Sequence, residues 1–544
     1  MDELVERIQA LHPTISKLLA ISASPGLSLG VLHHGTVIHT AHFGRRHAHD
    51  DAPPNDDTIY CIGSLVKLLT AGVVASLVQA GKLAWDTPIR EYLPEWRTRT
   101  DEIGEKTNLR DLLSNRTGIA VSHALFGQQA AEFILPRSET IRAATSRAAV
   151  APFREQFIYS QWNYSLITDL VEAVTAKSFG AYAQEMFLAR LHMHRTTFDD
   201  YPLREFGDNV SSAHAIRNDG TSKVILPPGV HDGTGFAASV GCKGSLNDLL
   251  RMYKSFLGTH THQKQNGLDS TPGSPWTHTR TILEPHVKVG KSDIDRVAYC
   301  LGLYRVKLPG NLSVASLNQQ LLGPAKIPVP EFGAANPGLD VYHHTAAVPG
   351  FHGSAFLIPS TESAVVVLTN SLPLIDPTDF AAQLVLSALL GEPPHEEELL
   401  GLAEIARPFQ MLGYERLTAH LAKKMTGTPP SHPLSEYEGE YYNSLGNMAF
   451  VITESGEGLK WKIKGYPKTE YDLLPYDGDT FYWKADREDE LCNKGMWPFL
   501  FPEAHKVYFK AAGDGEVDQL SWHHDPLGKP EVFRKATHRE RPKL

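Results

Sequence analysis

The chain has 544 residues, 42% of them hydrophobic and 21% charged, which exceeds one ordinary core and suits a globular protein of two or three domains. A formal net charge of -10 leaves no basic surplus to neutralise phosphates, which excludes nucleic acid as the principal partner. No uninterrupted apolar run reaches membrane-spanning length, so no membrane partner is expected.

In chain order, the start Met1-Asp2-Glu3-Leu4-Val5-Glu6-Arg7 lacks the basic and apolar parts of a secretory leader, and residues 3–20 have the spacing of one amphipathic helix. Gly26 to Val31 and Thr36 to Phe43 read as a hairpin turned at His34-Gly35. His33, His34, His39, His42, His47 and His49 crowd this region, and His523-His524 form a second pair. Without a ligand spacing such as H-E-x-x-H they are read as solvated surface residues, and neither metal nor cofactor is expected. Cys61, Cys242, Cys300 and Cys492 have no C-x-x-C spacing, which points to free thiols and a reduced, cytoplasmic protein.

Thr58 to Ile62 is a β-prone stretch ending at Gly63. Leu65, Leu68, Leu69, Val73, Val74 and Leu77 then trace a buried helical face stopped at Gly81. Ser64 and Lys67 open that helix three residues apart, so hydroxyl and amine face one pocket. A desolvated lysine can take a serine's proton, and a helix N-terminus offers N–H groups where an oxyanion would form. S-x-x-K alone is also the spacing that chance supplies about once or twice in a chain of this length.

Further on, Asn108 caps a short helix that ends near Gly118, residues 164–193 are mostly helical, and Ser245 caps another helix. Residues 258–295 and 309–340 read as long irregular excursions, which with 120–150 are the places where substrate choice would lie. Residues 354–359 and 364–370 form a second hairpin, followed by helices at 377–391 and 396–424. The run 426–433, Thr-Gly-Thr-Pro-Pro-Ser-His-Pro, is a linker between residues 1–425 and 434–544. Beyond it, segments near 440–442, 448–453, 459–463, 480–484 and 505–509 alternate apolar and polar residues, the pattern of a small antiparallel β-barrel or sandwich.

Two later segments offer the other parts of an acyl-transfer site. Tyr159, in Ile158-Tyr159-Ser160-Gln161, is placed before a helix, where a nearby lysine would drive its phenol toward the phenolate; taken alone, a packed aromatic is the commoner reading. Tyr342 to Gly353 holds His344 and, at Ala346 and Ala347, small residues that let a strand edge approach a ligand and offer it a backbone N–H.

Ser64-Leu65-Val66-Lys67, Tyr159-Ser160-Gln161 and His344-Thr345-Ala346, in this order, resemble the three motifs of the serine β-lactamase and penicillin-binding-protein superfamily. Leu112 to Gly118, Ser239 to Leu249 and Val348 to Phe351 resemble flanking stretches of its class C-like branch, which includes esterases, D-amino-acid peptidases and transesterases. The resemblance covers about residues 10–395, and the tail resembles the lipocalin-like barrel appended to some members. It implies an α/β (α+β) sandwich, an antiparallel sheet flanked by helices, with an all-helical lobe inserted at about 85–240.

By that resemblance Ser64 is the nucleophile, Lys67 its base, and Tyr159 the proton donor to the leaving group. Ser64 and Ala347 supply the oxyanion N–H groups, His344 replaces the usual lysine, and Gln161, Thr345 and Ala346 contact substrate. Gln161 stands where asparagine is common, and Ala346, standing for glycine, would tighten the strand against a bulky acyl chain. A histidine attracts a carboxylate less than a fixed cation does, so weak or no β-lactam turnover is expected. The implied activity is a serine acyl hydrolase acting on a small ester, lactone or amide. The alternatives are an acyltransferase or transesterase with the same machinery, and a non-catalytic binding protein. The barrel would bind ligand, gate the cleft or mediate homo-oligomerisation.

Overall fold

The computed structural model describes residues 2–49, 51–121, 134–200, 207–466, 469–512 and 515–536. Its strands are β1 (Gly26–His33), β2 (Thr36–Gly44), β3 (Ile59–Cys61), β4 (His214–Ile216), β5 (Ser222–Val224), β6 (Lys243–Ser245), β7 (Val287–Lys288), β8 (Val297–Tyr299), β9 (Tyr304–Lys307), β10 (Asp340–Val348), β11 (Phe351–Ile358) and β12 (Ser363–Thr369). The tail adds β13 (Gly439–Asn443), β14 (Ala449–Ser455), β15 (Gly458–Ile463), β16 (Tyr471–Asp477), β17 (Thr480–Tyr482), β18 (Lys506–Ala511), β19 (Val517–Trp522) and β20 (Glu531–Lys535).

The body is built on an antiparallel sheet in the order β2-β1-β12-β11-β10-β9-β8-β7. The hairpin turn falls at His34 and Gly35, both at positive φ (48° and 68°), as a two-residue turn matched to strand twist requires. Apolar residues alternate across the sheet. Leu27, Leu29, Val31, Val365 and Val367 pack on one face with Ile15, Leu18, Phe380 and Leu384 of the helices His12–Ser22 and Pro377–Leu390. Leu32, Val366 and Leu368 pack on the other with the helices Val66–Gln79 and Leu246–Asn266. The helix expected over 3–20 is two helices, Asp2–Ala10 and His12–Ser22, because Pro13 at the start of the second has no N–H for a continuous ladder.

Three further expectations are corrected. Residues 258–295 are not a loop throughout: the helix Leu246–Asn266 runs well into them, and Trp276 is fully buried with its carbonyl accepting from Gln263 Nε2 at 3.1 Å. Buried Thr259, His260 and Gln263 give that helix the composition of a loop. The lobe at 85–240, whose regular elements where described are chiefly helices, also carries the β4–β5 hairpin; residues 122–133 of the 120–150 excursion lie outside the described residues. The histidines of the first hairpin are half-buried for the most part, His42 bridging Ser28 and Asp56 at 2.9 Å each, while His524 is buried against Glu531.

The tail closes into a barrel of β13 to β20. Three of its strands, β16, β19 and β20, were not among the expected segments: Pro475 interrupts β16, and β19 and β20 are rich in polar residues. The run 426–433 lies against the barrel, with Ser431 Oγ donating to Asp479 at 2.6 Å. The long connection from β17 to β18 leaves the barrel and reaches the body. Arg487 donates to the Ile216 carbonyl at 2.9 Å and to Asn218 at 3.0 Å, Lys223 to Asn493 at 2.6 Å, and Trp497 stacks on His352.

Candidate active site

Gly63, Ser64 and Leu65 form a 3₁₀ turn that runs into the helix Val66–Gln79. In that geometry residues three apart eclipse, which sets Lys67 Nζ 2.9 Å from Ser64 Oγ. Lys67 is fully buried, and Nζ also lies 3.1 Å from Gln161 Oε1 and 2.8 Å from the Ser239 carbonyl. Those two oxygens can only accept. A neutral amine has two protons for them and one lone pair left, which faces the Ser64 hydroxyl. Burial lowers the amine well below the usual lysine value and so favours its neutral form, against the pull of the Tyr159 and Tyr164 ring faces at 5.0 Å and 4.8 Å from Nζ.

Tyr159 Oη donates to Ser64 Oγ at 2.8 Å. Its loop is fixed from behind by Asn115, which holds φ at 55°, a conformation asparagine tolerates. Asn115 Oδ1 accepts from Ser160 N at 3.1 Å and Asn163 Nδ2 at 2.9 Å, and its carbonyl accepts from Ile158 N at 2.9 Å. Burial raises the Tyr159 phenol above its ordinary value. The expected drift toward phenolate is therefore corrected: a neutral amine lends no positive charge to stabilise the anion.

β10 brings the third segment. β9 pairs with it only from Asp340 to His343, so its outer edge is unpaired from His344 onward. Val348 and Phe351 flank a Pro349-Gly350 turn with Gly350 at φ 84°, which makes them the hydrogen-bonded pair. Alternation then turns the Ala347 amide away from β11 into the gap where β9 stops. Gly63, at φ 47°, lies against this edge; a Cβ there would sit 3.4 Å from Ala347 N.

His344 is buried, and burial lowers its pKa well below the usual value. Its Nδ1 is 2.7 Å from the Thr345 carbonyl and so carries the proton, leaving Nε2 to accept from Tyr299 Oη at 3.1 Å, with Tyr159 Oη at 3.5 Å. Thr345 Oγ1 donates to the Ala315 carbonyl at 3.2 Å. Ala346 does not reach substrate space. Its methyl is fully buried behind the strand, against the positions a Cβ would take at Gly63 and Gly353, so the expected tightening against an acyl chain is not found.

A cavity of about 450 Å³ opens on Ser64, Tyr159, Gln161, His344, Thr345 and Ala347 and continues to one end of the barrel. Of the excursions expected to set substrate choice, 309–340 contributes Val314, Ala315 and Gln320, and none of the lining residues comes from 258–295. Three participants were missed in the sequence: Tyr299, the Ser239 carbonyl, and the 483–505 connection, which adds Glu490, Met496, Trp497 and Phe499 to the wall. Nothing in the local pattern marks Tyr299 as a partner of His344, since a short strand places it there. The Ser239 to Leu249 stretch had been singled out without a role.

A family model described as Beta-lactamase matches residues 11–390, and one described as a domain of unknown function (DUF3471) matches residues 423–535. Protein flp of Staphylococcus aureus (strain COL) is 24% identical over 174 residues, 32% of this chain and 35% of that protein. Penicillin-binding protein 4 of Amycolatopsis lactamdurans is 25% identical over 181 residues, 33% of this chain and 46% of that protein. The matched stretch thus spans less than half the length of these curated relatives. The octameric penicillin-binding protein homologue from Pyrococcus abyssi has a TM-score of 0.57 at 20% identity, covering 97% of this chain and 99% of that chain, a likeness of fold. Among the described residues no helix is long and apolar enough to cross a membrane.

Proposed function

Because this chain belongs to the Beta-lactamase family, we propose that it is a serine acyl hydrolase that opens an uncharged ester, lactone or amide through a covalent acyl-enzyme on Ser64. The observation that carries this reading is the meeting of a buried amine, with no carboxylate beside it among the described residues, and a neutral phenol on one serine oxygen, at 2.9 Å and 2.8 Å. Ser64 Oγ attacks the carbonyl carbon as its proton passes to Lys67 Nζ. The carbonyl oxygen becomes the oxyanion, held by the N–H groups of Ser64 and Ala347. As the bond to the leaving group breaks, that group takes the Tyr159 proton, and the lysine ammonium restores it. Water then repeats the sequence on the acyl-enzyme. His344, held by Tyr299 at 3.1 Å, packs its ring beside that of Tyr159 at 5.8 Å and is a positioning residue.

No lysine or arginine lines the cavity among the described residues, and His344 is held neutral, so nothing there matches a substrate carboxylate. Penicillins are therefore expected to turn over far more slowly than simple esters. The test is a panel of p-nitrophenyl esters, amides and lactones on wild type and Ser64→Ala, with a fluorophosphonate as serine label. Turnover lost in the alanine variant and label found on Ser64 support the reading; turnover that persists, or a wild type that is neither labelled nor active, sinks it and leaves a binding protein. A second reading is acyl transfer to an alcohol or amine, favoured by the aromatic walls that shed water from the acyl-enzyme; ester products formed on adding an alcohol would identify it.

A further inference from the structure

We propose that the open end of the C-terminal barrel is the specificity pocket of the Ser64 site, taking an uncharged, apolar arm of the substrate that extends past the scissile carbonyl. This rests on the proposed hydrolase reading and adds the substrate class to it.

The end of the barrel at which β15, β17 and β19 finish is lined from inside by Trp461, Trp483 and Trp522, whose rings lie 4.9 Å (Trp461–Trp483) and 5.4 Å (Trp461–Trp522) apart. These rings share one cavity with Ser64, so a substrate seated on the nucleophile can extend toward them within it. The connection 483–505 closes the side, offering half-buried Met496 and Trp497 to the same space. It is fixed rather than free, by the Arg487 and Asn493 bonds to the body and by the stacking of Trp497 on His352 at 5.7 Å.

Charge decides what this end accepts. The charged side chain at the cavity wall is Glu490, whose Oε1 accepts from Lys494 at 2.9 Å and Oε2 from Tyr471 at 3.0 Å. Lys494 also lies over the Tyr471 ring at 3.8 Å. The Glu490 carboxylate and the Tyr471 face are already occupied by the protein's own ammonium, which leaves a cationic ligand no free counter-charge at that wall. A carboxylate finds no cation. What remains is apolar ring surface, which rewards buried methylenes.

The experiment measures kcat/KM for p-nitrophenyl acetate, butyrate and octanoate, and for acetate esters of ethanol, butanol and octanol, to cover both sides of the carbonyl. In one series the value should rise about three- to fourfold per added methylene. In Met496→Trp, which fills the space, and in Trp497→Ala, which opens the wall, the octanoyl-to-acetyl or octyl-to-ethyl ratio should fall at least tenfold. A ratio is internal to each variant and does not depend on how much of it folds. Isosteric esters ending in a carboxylate or a trimethylammonium should fall below the uncharged one. Ratios unchanged in both variants, or a preference for either charged ester, overturn the proposal. To separate its failure from that of the hydrolase reading, methyl 8-bromooctanoate is titrated into Ser64→Ala while tryptophan fluorescence is followed. Saturable quenching that weakens at least fivefold on adding Trp497→Ala supports the pocket even in a protein that turns over no ester, and absence of quenching counts against it.

Discussion

At the scale of single residues, the chemistry turns on how many protons one nitrogen carries. Gln161 Oε1 and the Ser239 carbonyl, at 3.1 Å and 2.8 Å, claim both protons of a neutral Lys67 and leave its lone pair to Ser64. Lys67→Ala should lower kcat by about 10²–10⁴-fold, and Lys67→Arg should do no better, since guanidinium stays protonated and offers no lone pair. Steady-state kinetics of both variants checks this. The sign of the pH dependence follows from the same burial. Protonation fills the lone pair, so kcat/KM should fall as pH drops through the lowered lysine value. Tyr159 is raised above its ordinary 10.0, so the plateau should persist past the pH at which a solvated phenol ionises, with no descending limb from that group. A descending limb near neutrality would contradict the tyrosine assignment, and a rate that does not fall in acid would contradict the lysine one. That Ser64, Lys67 and Tyr159 come together was legible because each lies in a short motif. Tyr299 was not, because only the sheet brings it to His344.

At the scale of elements, the positions that aim these groups are backbone features. Gly63 at φ 47° would carry a Cβ 3.3 Å from the Ala346 methyl and 3.4 Å from Ala347 N. Gly63→Ala is expected to cost about 1–2 kcal/mol of stability from the left-handed backbone. It should also reduce kcat/KM by roughly tenfold, as Ser64 moves off the β10 edge; denaturant melts and kinetics on one preparation report both. Asn115→Ala removes the acceptor for Ser160 N and Asn163 Nδ2, and should lower kcat more than it raises KM because Tyr159 loses its backing. The strands around β11 and β12 were legible because Ala364 to Leu368 is apolar throughout, as a strand buried on both faces must be. β16, β19 and β20 were not: barrel strands half-covered by solvent carry a weak alternation that Pro475 or a run of polar residues erases.

At the scale of the whole molecule, body and barrel meet through the 483–505 connection and a few direct bonds, such as Asn447 to Glu139 at 3.0 Å. Arg487 is buried, and its bonds to Ile216 and Asn218 are a main tie. Arg487→Ala leaves acceptors unpaired and should cost about 1–3 kcal/mol, read as an earlier unfolding midpoint. The separation of body from barrel was visible in the sequence as a change of period after the proline-rich run. Their shared cavity was not, because contacts between distant segments leave no trace in local spacing. β1 is an inner strand of the sheet. It lies between β2 and β12, and Thr369 bonds back to Gly26 across 343 positions. While the ribosome is still extending the chain, the first hairpin therefore waits with a naked apolar flank, in need of shelter from its neighbours. Under the proposed reading, Ser64 meets Lys67 and Tyr159 from the first third of the chain but lacks the Ala347 amide until β10 has been made.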